Sequence, residues 1–285
     1  MRQTPSQLLV DAGTLANGLG NPDWVVFDCR FSLTDPAWGR KQYHAGHVPG
    51  ALYAHLDEDL SSPVGPATGR HPLPDPERLS EKLGLWGVDD QTQVVVYDDV
   101  GGAFAVRLWW LLHWLGHNRA VVLDGGLGAW RKAGGALSKE PPKTKHRTFK
   151  GCPDQSMWLT TTMMEVNLRT HEFEVVDARA AERFLGEQEP IDPVAGHIPG
   201  AINLPLGGNL AADGRFLPSS QLRRRFVAEL GDVQPEKVVH SCGSGVNACH
   251  NLLAMEIAGL SGSRLYAGSW SEWIRAPKRP IAMKH

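Results

Sequence analysis

The segment Val238-Val239-His240-Ser241-Cys242-Gly243-Ser244-Gly245-Val246-Asn247-Ala248 sets one thiol between a short apolar run and a glycine-rich loop. The apolar run reads as a buried strand and the residues from Ala248 onward as a helix. In an open α/β sheet, ligands bind where a strand ends and its loop enters a helix. Gly243 and Gly245 let the loop curl, so that backbone N–H groups converge on one point and the helix adds its positive end; Gly243, Gly245, Val246 and Asn247 are the expected ligand-binding residues of the loop. A thiol placed there is favoured as thiolate and is a nucleophile. A cysteine is also a common small buried hydrophobe, and that reading of Cys242 stands beside the chemical one.

The elements that must position this loop occur twice. Val25-Val26-Phe27-Asp28-Cys29-Arg30 reads as a short strand, and Val175-Val176-Asp177-Ala178-Arg179 repeats its Asp-x-Arg ending. His47-Val48-Pro49-Gly50-Ala51 returns 150 residues later as His197-Ile198-Pro199-Gly200-Ala201, a Pro-Gly turn feeding another strand. Val94 to Tyr97 corresponds to Val238 to Ser241. Ala105 lies 25 residues before Trp130, as Ala248 does before Trp273. Near Asp98 or Asp99, where the first copy should have its cysteine, there is none, so one copy is expected to be active and the other retired.

Short apolar strands alternate with helical patterns such as Phe104 to Leu115 and Leu222 to Leu230. This predicts an α/β fold of two tandem domains, each a mostly parallel sheet flanked by helices. The expected boundaries are 1–135 for the domain without the cysteine, 136–157 for a Pro- and Lys-rich linker, and 158–285 for the catalytic domain. With 285 residues, 42% of them hydrophobic, the chain has material for two cores. Lys and Arg number 29 against 31 Asp and Glu, without long runs of one sign, so neither nucleic acid nor a membrane surface is an expected partner. No apolar stretch approaches a bilayer span, and the first residues carry no apolar core with basic flanks, which places the protein in the cytoplasm. Cys29, Cys152, Cys242 and Cys249 form neither a disulfide scaffold nor a zinc motif, so no metal is expected.

The Gly-His-Ile-Pro-Gly-Ala run at 196–201, Leu-Asp-Gly-Gly-Leu at 123–127, Gly-Ser-Trp at 268–270 and the loop after Cys242 resemble the rhodanese family, specifically its tandem-domain sulfurtransferases. The loop sequence is similar to that of the mercaptopyruvate type, whereas the thiosulfate type commonly has basic residues just after the cysteine. The resemblance implies a ping-pong cycle without cofactor. Cys242 takes a sulfane sulfur from 3-mercaptopyruvate or thiosulfate, becomes a persulfide, and passes the sulfur to cyanide or to a thiol such as thioredoxin. It also implies that Arg183 binds the donor carboxylate, in a position where an ordinary ion-paired arginine is the plainer alternative. A second arginine of that type is expected where Ile191 stands. Asp57 and His71, with Ser244 of the loop, match a proton relay of the mercaptopyruvate type, although His71 on residue type alone reads as a turn histidine.

Other residues point to structure. Arg179 has a counterpart at Arg30 in the copy without a cysteine, Asp28 and Asp177 are suited to hold loops, His47 and His197 to satisfy the same turn twice, and Cys249, Trp109, Trp110 and Trp114 to pack. Two other functions stand against sulfur transfer. A dual-specificity-type phosphatase needs an arginine at the sixth position after its cysteine, which here is Ala248. A non-catalytic persulfide carrier or docking module has no need of a well-formed cysteine loop.

Overall fold

The computed structural model describes residues 8–283 and resolves the chain into two compact units, each built on a five-stranded parallel sheet. Unit 1 holds residues up to Ser62 with Leu73–Asp154 and Ala211–Phe216, and unit 2 holds Pro63–Pro72, Gln155–Leu210 and the chain from Leu217. The segment Pro63–Pro72 thus leaves the first repeat and joins the second, carrying His71 into the unit that holds Cys242.

Unit 1 runs β1 (Leu9–Val10), α1 (Ala12–Gly18), β2 (Trp24–Asp28), α2 (Trp38–Ala45), β3 (Leu52–Tyr53), α3 (Pro76–Leu85), β4 (Gln93–Tyr97), α4 (Ala105–Trp114), β5 (Ala120–Leu123) and α5 (Gly126–Lys132). Unit 2 repeats the plan with β6 (Trp158–Leu159), α6 (Thr161–Thr170), β7 (Glu174–Asp177), α7 (Ala181–Phe184), β8 (Ile202–Asn203), α8 (Ser219–Leu230), β9 (Val238–Ser241), α9 (Ala248–Ile257), β10 (Arg264–Tyr266) and α10 (Ser269–Trp273). The strand orders are β1-β5-β4-β2-β3 and β6-β10-β9-β7-β8, with every pairing parallel. The strand that ends before Cys242 and the one that ends before Asp98 take the same central place in their sheets, covered by helices on both faces as parallel sheets require.

Local chemistry sets the elements. Asp11, Asp75 and Thr160 accept backbone N–H bonds at the starts of α1, α3 and α6, and Pro76 opens α3 where its missing N–H costs nothing. α4 and α9 are apolar nearly all round and buried, Trp109, Trp110 and Trp114 included, because each is enclosed by its own sheet and neighbours. The Asp-x-Arg endings fold back on themselves. Asp28 receives the Arg30 backbone N–H and its guanidinium, which also reaches Gly46 O; Asp177, Arg179 and Gly196 O repeat the arrangement. His47 and His197 do the same duty in both copies. Each bonds a helix carbonyl through Nδ1, Tyr43 O or Phe184 O, and stacks on that residue's ring.

The stretch after α5 is pinned to unit 1 rather than loose. The Arg147 guanidinium donates to Pro22 O, Asp23 and Asp89, while its N–H bonds Gly84 O and that of Cys152 bonds Leu115 O. Cys152 is exposed, and Cys29, Cys242 and Cys249 are buried.

Candidate active site

β9 delivers Cys242 to the carboxyl edge of its sheet, 2% exposed, and the loop turns back at once beneath it. Gly245 makes the turn with φ +76, and its N–H donates to Cys242 Sγ at 3.2 Å. A methyl group on Gly245 would sit closer than 3 Å to Ala267 O, so glycine is required both for the left-handed backbone and for the space. Val246 is buried, and its carbonyl accepts the Cys249 N–H. Asn247 stands before α9 without a side-chain cap, which leaves the helix's positive end facing the loop. Cys249 packs behind it, fully buried, donating to Gly245 O at 3.4 Å.

The first copy shows what a loop at this place can hold. At the same place in unit 1 the buried Asp98 carboxylate accepts four backbone N–H groups: Val100 and Gly102 on Oδ1, Phe104 and Ala105 on Oδ2, each within 2.9 Å. The first loop is an anion cradle filled by its own side chain, and the second presents a sulfur instead.

From the other side, Ser269 steadies the cysteine. Its Oγ accepts the Cys242 N–H at 3.0 Å and donates to Tyr266 O at 2.9 Å, from a backbone at φ +51. The Trp270 and Ser271 N–H groups bond Cys242 O and Gly243 O, which fixes the loop against the start of α10.

His71 and Ser244 are brought together. His71 Nδ1 lies 2.7 Å from Ser244 Oγ, and both residues are buried. His71 gets there because Gly69 and Arg70 dock on the same α10 loop, where Arg70 N–H donates to Ser271 Oγ and any Cβ on Gly69 would strike Gly268 O. Asp57, the third residue of the expected relay, belongs to unit 1. It is exposed there, and its N–H donates to His55 Nδ1.

Three guanidiniums border the loop, although the loop itself has no basic side chain. Arg179 is clamped by Asp177 and stacked over Trp270. Burial works against its charge, but Asp177, then Glu189, more than offset that and hold it cationic. Arg183 is ion-paired: Nε and Nη2 grip the Glu189 carboxylate, and Nη2 also reaches Asp192. Burial alone would raise the Glu189 carboxyl, but the bonds from Arg183 and the Asp192 and Ile191 N–H groups carry it below the ordinary range. Arg70, which the sequence reading left without a role, bonds Asp192 from the opposite side and passes over Gly243. Asp192 is pushed up by burial, against the pull of Arg70, Arg183 and Arg179. Ile191 points away as an exposed side chain. The only sequence signals for Arg70 and Ser269 were their neighbours, His71 and Trp270.

The rhodanese-like domain family matches this chain twice, over residues 11–133 and 160–276. A probable 3-mercaptopyruvate sulfurtransferase of Pseudomonas aeruginosa is 52% identical over 97% of this chain and 98% of its own length. A putative thiosulfate sulfurtransferase of Mycobacterium tuberculosis is 38% identical over 98% of each. Among solved structures, the 3-mercaptopyruvate sulfurtransferase of Leishmania major superposes with a TM-score of 0.82 at 32% identity, covering 96% of this chain and 75% of that one. The mercaptopyruvate sulfurtransferase of Escherichia coli superposes with a TM-score of 0.80 at 29% identity, over 93% and 99%.

Proposed function

The chain belongs to the rhodanese family as a tandem-domain sulfurtransferase, and on that footing we propose that Cys242 carries the transferred sulfur as a persulfide taken from 3-mercaptopyruvate. The observation that carries this reading is the cradle: a backbone N–H donates to Cys242 Sγ in the loop that, in the other copy, holds a carboxylate by four such donors. The same donors suit both a thiolate and the terminal sulfur of a persulfide, without reorganising between the two.

In the first half-reaction the Cys242 thiolate attacks the donor sulfur and an S–S bond forms as the donor's C–S bond breaks. The electron pair of that bond leaves on carbon as the pyruvate enolate, which takes up the proton given by the donor thiol, so persulfide and pyruvate result. In the second, cyanide or a thiol takes the outer sulfur and the thiolate returns. Ser244 Oγ and His71 Nδ1, in hydrogen-bond contact, are suited to move the proton from the donor thiol to the leaving carbon. Thiosulfate, named for the relative from Mycobacterium tuberculosis, enters the same cycle with sulfite as leaving group and no proton to move.

Among the described residues no helix is long and apolar enough to cross a membrane, and we place the reaction in the cytoplasm, where a thiol such as thioredoxin is the acceptor. The test is to treat the protein with 3-mercaptopyruvate or thiosulfate and weigh its peptides. One added sulfur on the Cys242 peptide, with thiocyanate released on adding cyanide, is the expected result. The ratio of kcat/KM for the two donors then decides between them, and a tenfold preference for thiosulfate, about 1.4 kcal/mol in transition-state terms, reverses the donor assignment.

A further inference from the structure

His71 and Ser244 reach each other from segments that are tied, one residue earlier, to the same residue of α10. Arg70, which precedes His71, donates its N–H to Ser271 Oγ at 3.0 Å. Gly243, which precedes Ser244, accepts the Ser271 N–H at 2.8 Å. Ser271 is 3% exposed, so water competes for neither bond. It joins the two backbones right beside the 2.7 Å contact between His71 Nδ1 and Ser244 Oγ.

Neighbouring contacts seat the His71 segment on the same surface. Arg275 Nε donates to Thr68 O at 3.0 Å and the Gly69 N–H reaches Glu272 Oε2 at 3.4 Å, so residues 68–70 are held one after another. A Cβ on Gly69 would meet Gly268 O at 2.7 Å and Ser271 Oγ at 2.8 Å, so a larger residue would lift the segment off α10. Within its own turn the Ser271 hydroxyl reaches only to Gly268 O, at 3.5 Å. Its shorter bond is the one it accepts from Arg70, which makes the side chain a link between segments more than a cap on its helix.

We infer that Ser271 is a positioning residue for proton transfer: by bonding the residue before His71 and the residue before Ser244, it sets the separation of that pair. The inference rests on His71 and Ser244 moving the donor's proton in the proposed reaction. Proton transfer needs the pair within hydrogen-bond reach, and misplacing a reacting group by about 1 Å can cost about 100-fold. A link one residue away from both partners is where such a tolerance can be kept.

Ser271→Ala removes the acceptor for the Arg70 N–H and keeps the backbone bond to Gly243. It should lower kcat with 3-mercaptopyruvate by about tenfold and thiosulfate turnover by less than about threefold. In a His71→Ala background the same change should cost less than about twofold further, because a residue that acts through His71 then has nothing left to position. Long-range proton–nitrogen spectra of histidine-labelled protein give a readout that does not depend on turnover. The His71 ring signals, assigned by their loss in His71→Ala, should shift in Ser271→Ala in the direction they shift in Ser244→Ala. Gly69→Ala, which displaces the segment from its own side, should reproduce both the kinetic and the spectral change. Unchanged kcat with 3-mercaptopyruvate, losses that multiply in the double variant, or His71 signals that stay where they were each overturn the inference. Equal slowing of both donors by His71→Ala would instead overturn the proton relay, and the His71 signals would still report whether Ser271 sets the contact.

Discussion

His71 Nδ1 lies 2.7 Å from Ser244 Oγ, a contact between residues 173 apart in sequence, and both are closed off from solvent. A serine so placed can pass a proton, and with 3-mercaptopyruvate a proton must move from the donor sulfur to carbon. Ser244→Ala and His71→Ala should each lower kcat with that donor by roughly 10- to 1000-fold, the range for lost acid–base help. Thiosulfate turnover should fall much less. Equal losses with both donors would show that these side chains only shape the loop.

Cys242→Ser should abolish turnover with either donor, because oxygen at that position forms no persulfide. Cys249→Ser and Cys152→Ser should retain most activity. Cys249 points its thiol at Gly245 O from inside the helix, and Cys152 is exposed in unit 1. Steady-state rates of the three variants check this, and a dead Cys249→Ser that still folds would move the chemistry to the second sulfur.

Much of this was legible in the chain. Strand and helix follow from apolar period, and the repeat of Asp-x-Arg and His-x-Pro-Gly marks two copies because each motif ties its own loop, Arg30 to Gly46 O and Arg179 to Gly196 O. Cys242 stood out by its glycines. What was not legible is non-periodic and long-range. Nothing local says that residues 63–72 join unit 2, since that follows from Gly69 fitting under Gly268 O and Arg70 meeting Ser271. The ion pairs of Arg70, Arg183, Glu189 and Asp192 come from loops, where a charge run reads as solvated surface. The stretch after α5 looked like a free linker for the same reason, because the pinning by Arg147 depends on carboxylates more than 50 residues away.

Asp98 predicts a stability effect without a catalytic one. Its carboxylate satisfies four N–H groups at the head of α4, of which those of Gly102 and Ala105 are buried. Asp98→Ala strands them, and unsatisfied buried donors cost about 1–3 kcal/mol each when they cannot reach water. Unit 1 should lose about 2–5 kcal/mol in denaturant unfolding, while the folded fraction keeps its persulfide chemistry on Cys242. A loss under about 0.5 kcal/mol would mean that the first cradle needs no anion.

Gly245→Ala should be more damaging to activity than its size suggests. The residue holds φ +76, a conformation that costs an L side chain roughly 1–2 kcal/mol, and its new methyl would press on Ala267 O in the loop leading to α10. Relief requires the loop to open, which moves the N–H now donated to Cys242 Sγ. Persulfide formation should slow by about 100-fold, as for loss of a single oxyanion-type donor. Rates near wild type would remove that N–H from the mechanism.

Acid stability should be set by histidines that folding keeps neutral. Burial lowers His113 and His117 in unit 1 to about 4 and His240 in unit 2 to about 3, against 6.5 unperturbed. Their folded values lie below their unfolded ones, so between pH 6.5 and about 4 the unfolded chain binds protons that the folded chain refuses, and stability must fall as the pH drops. Each histidine contributes a slope of up to about 1.4 kcal/mol per pH unit across that window, reaching about 3 kcal/mol in all. Carboxyls raised by burial oppose this in both units, Asp99 and Asp124 in unit 1 and Asp192 in unit 2, whereas the depressed Glu189 adds to it only as the pH nears the ordinary carboxylate range. Denaturant midpoints at pH 7.5, 6.5, 5.5 and 4.5 should decline as the pH falls, and His117→Gln should remove one proton's share of the slope. Midpoints that stay level from pH 7 to 5 would mean that these rings take up protons in place.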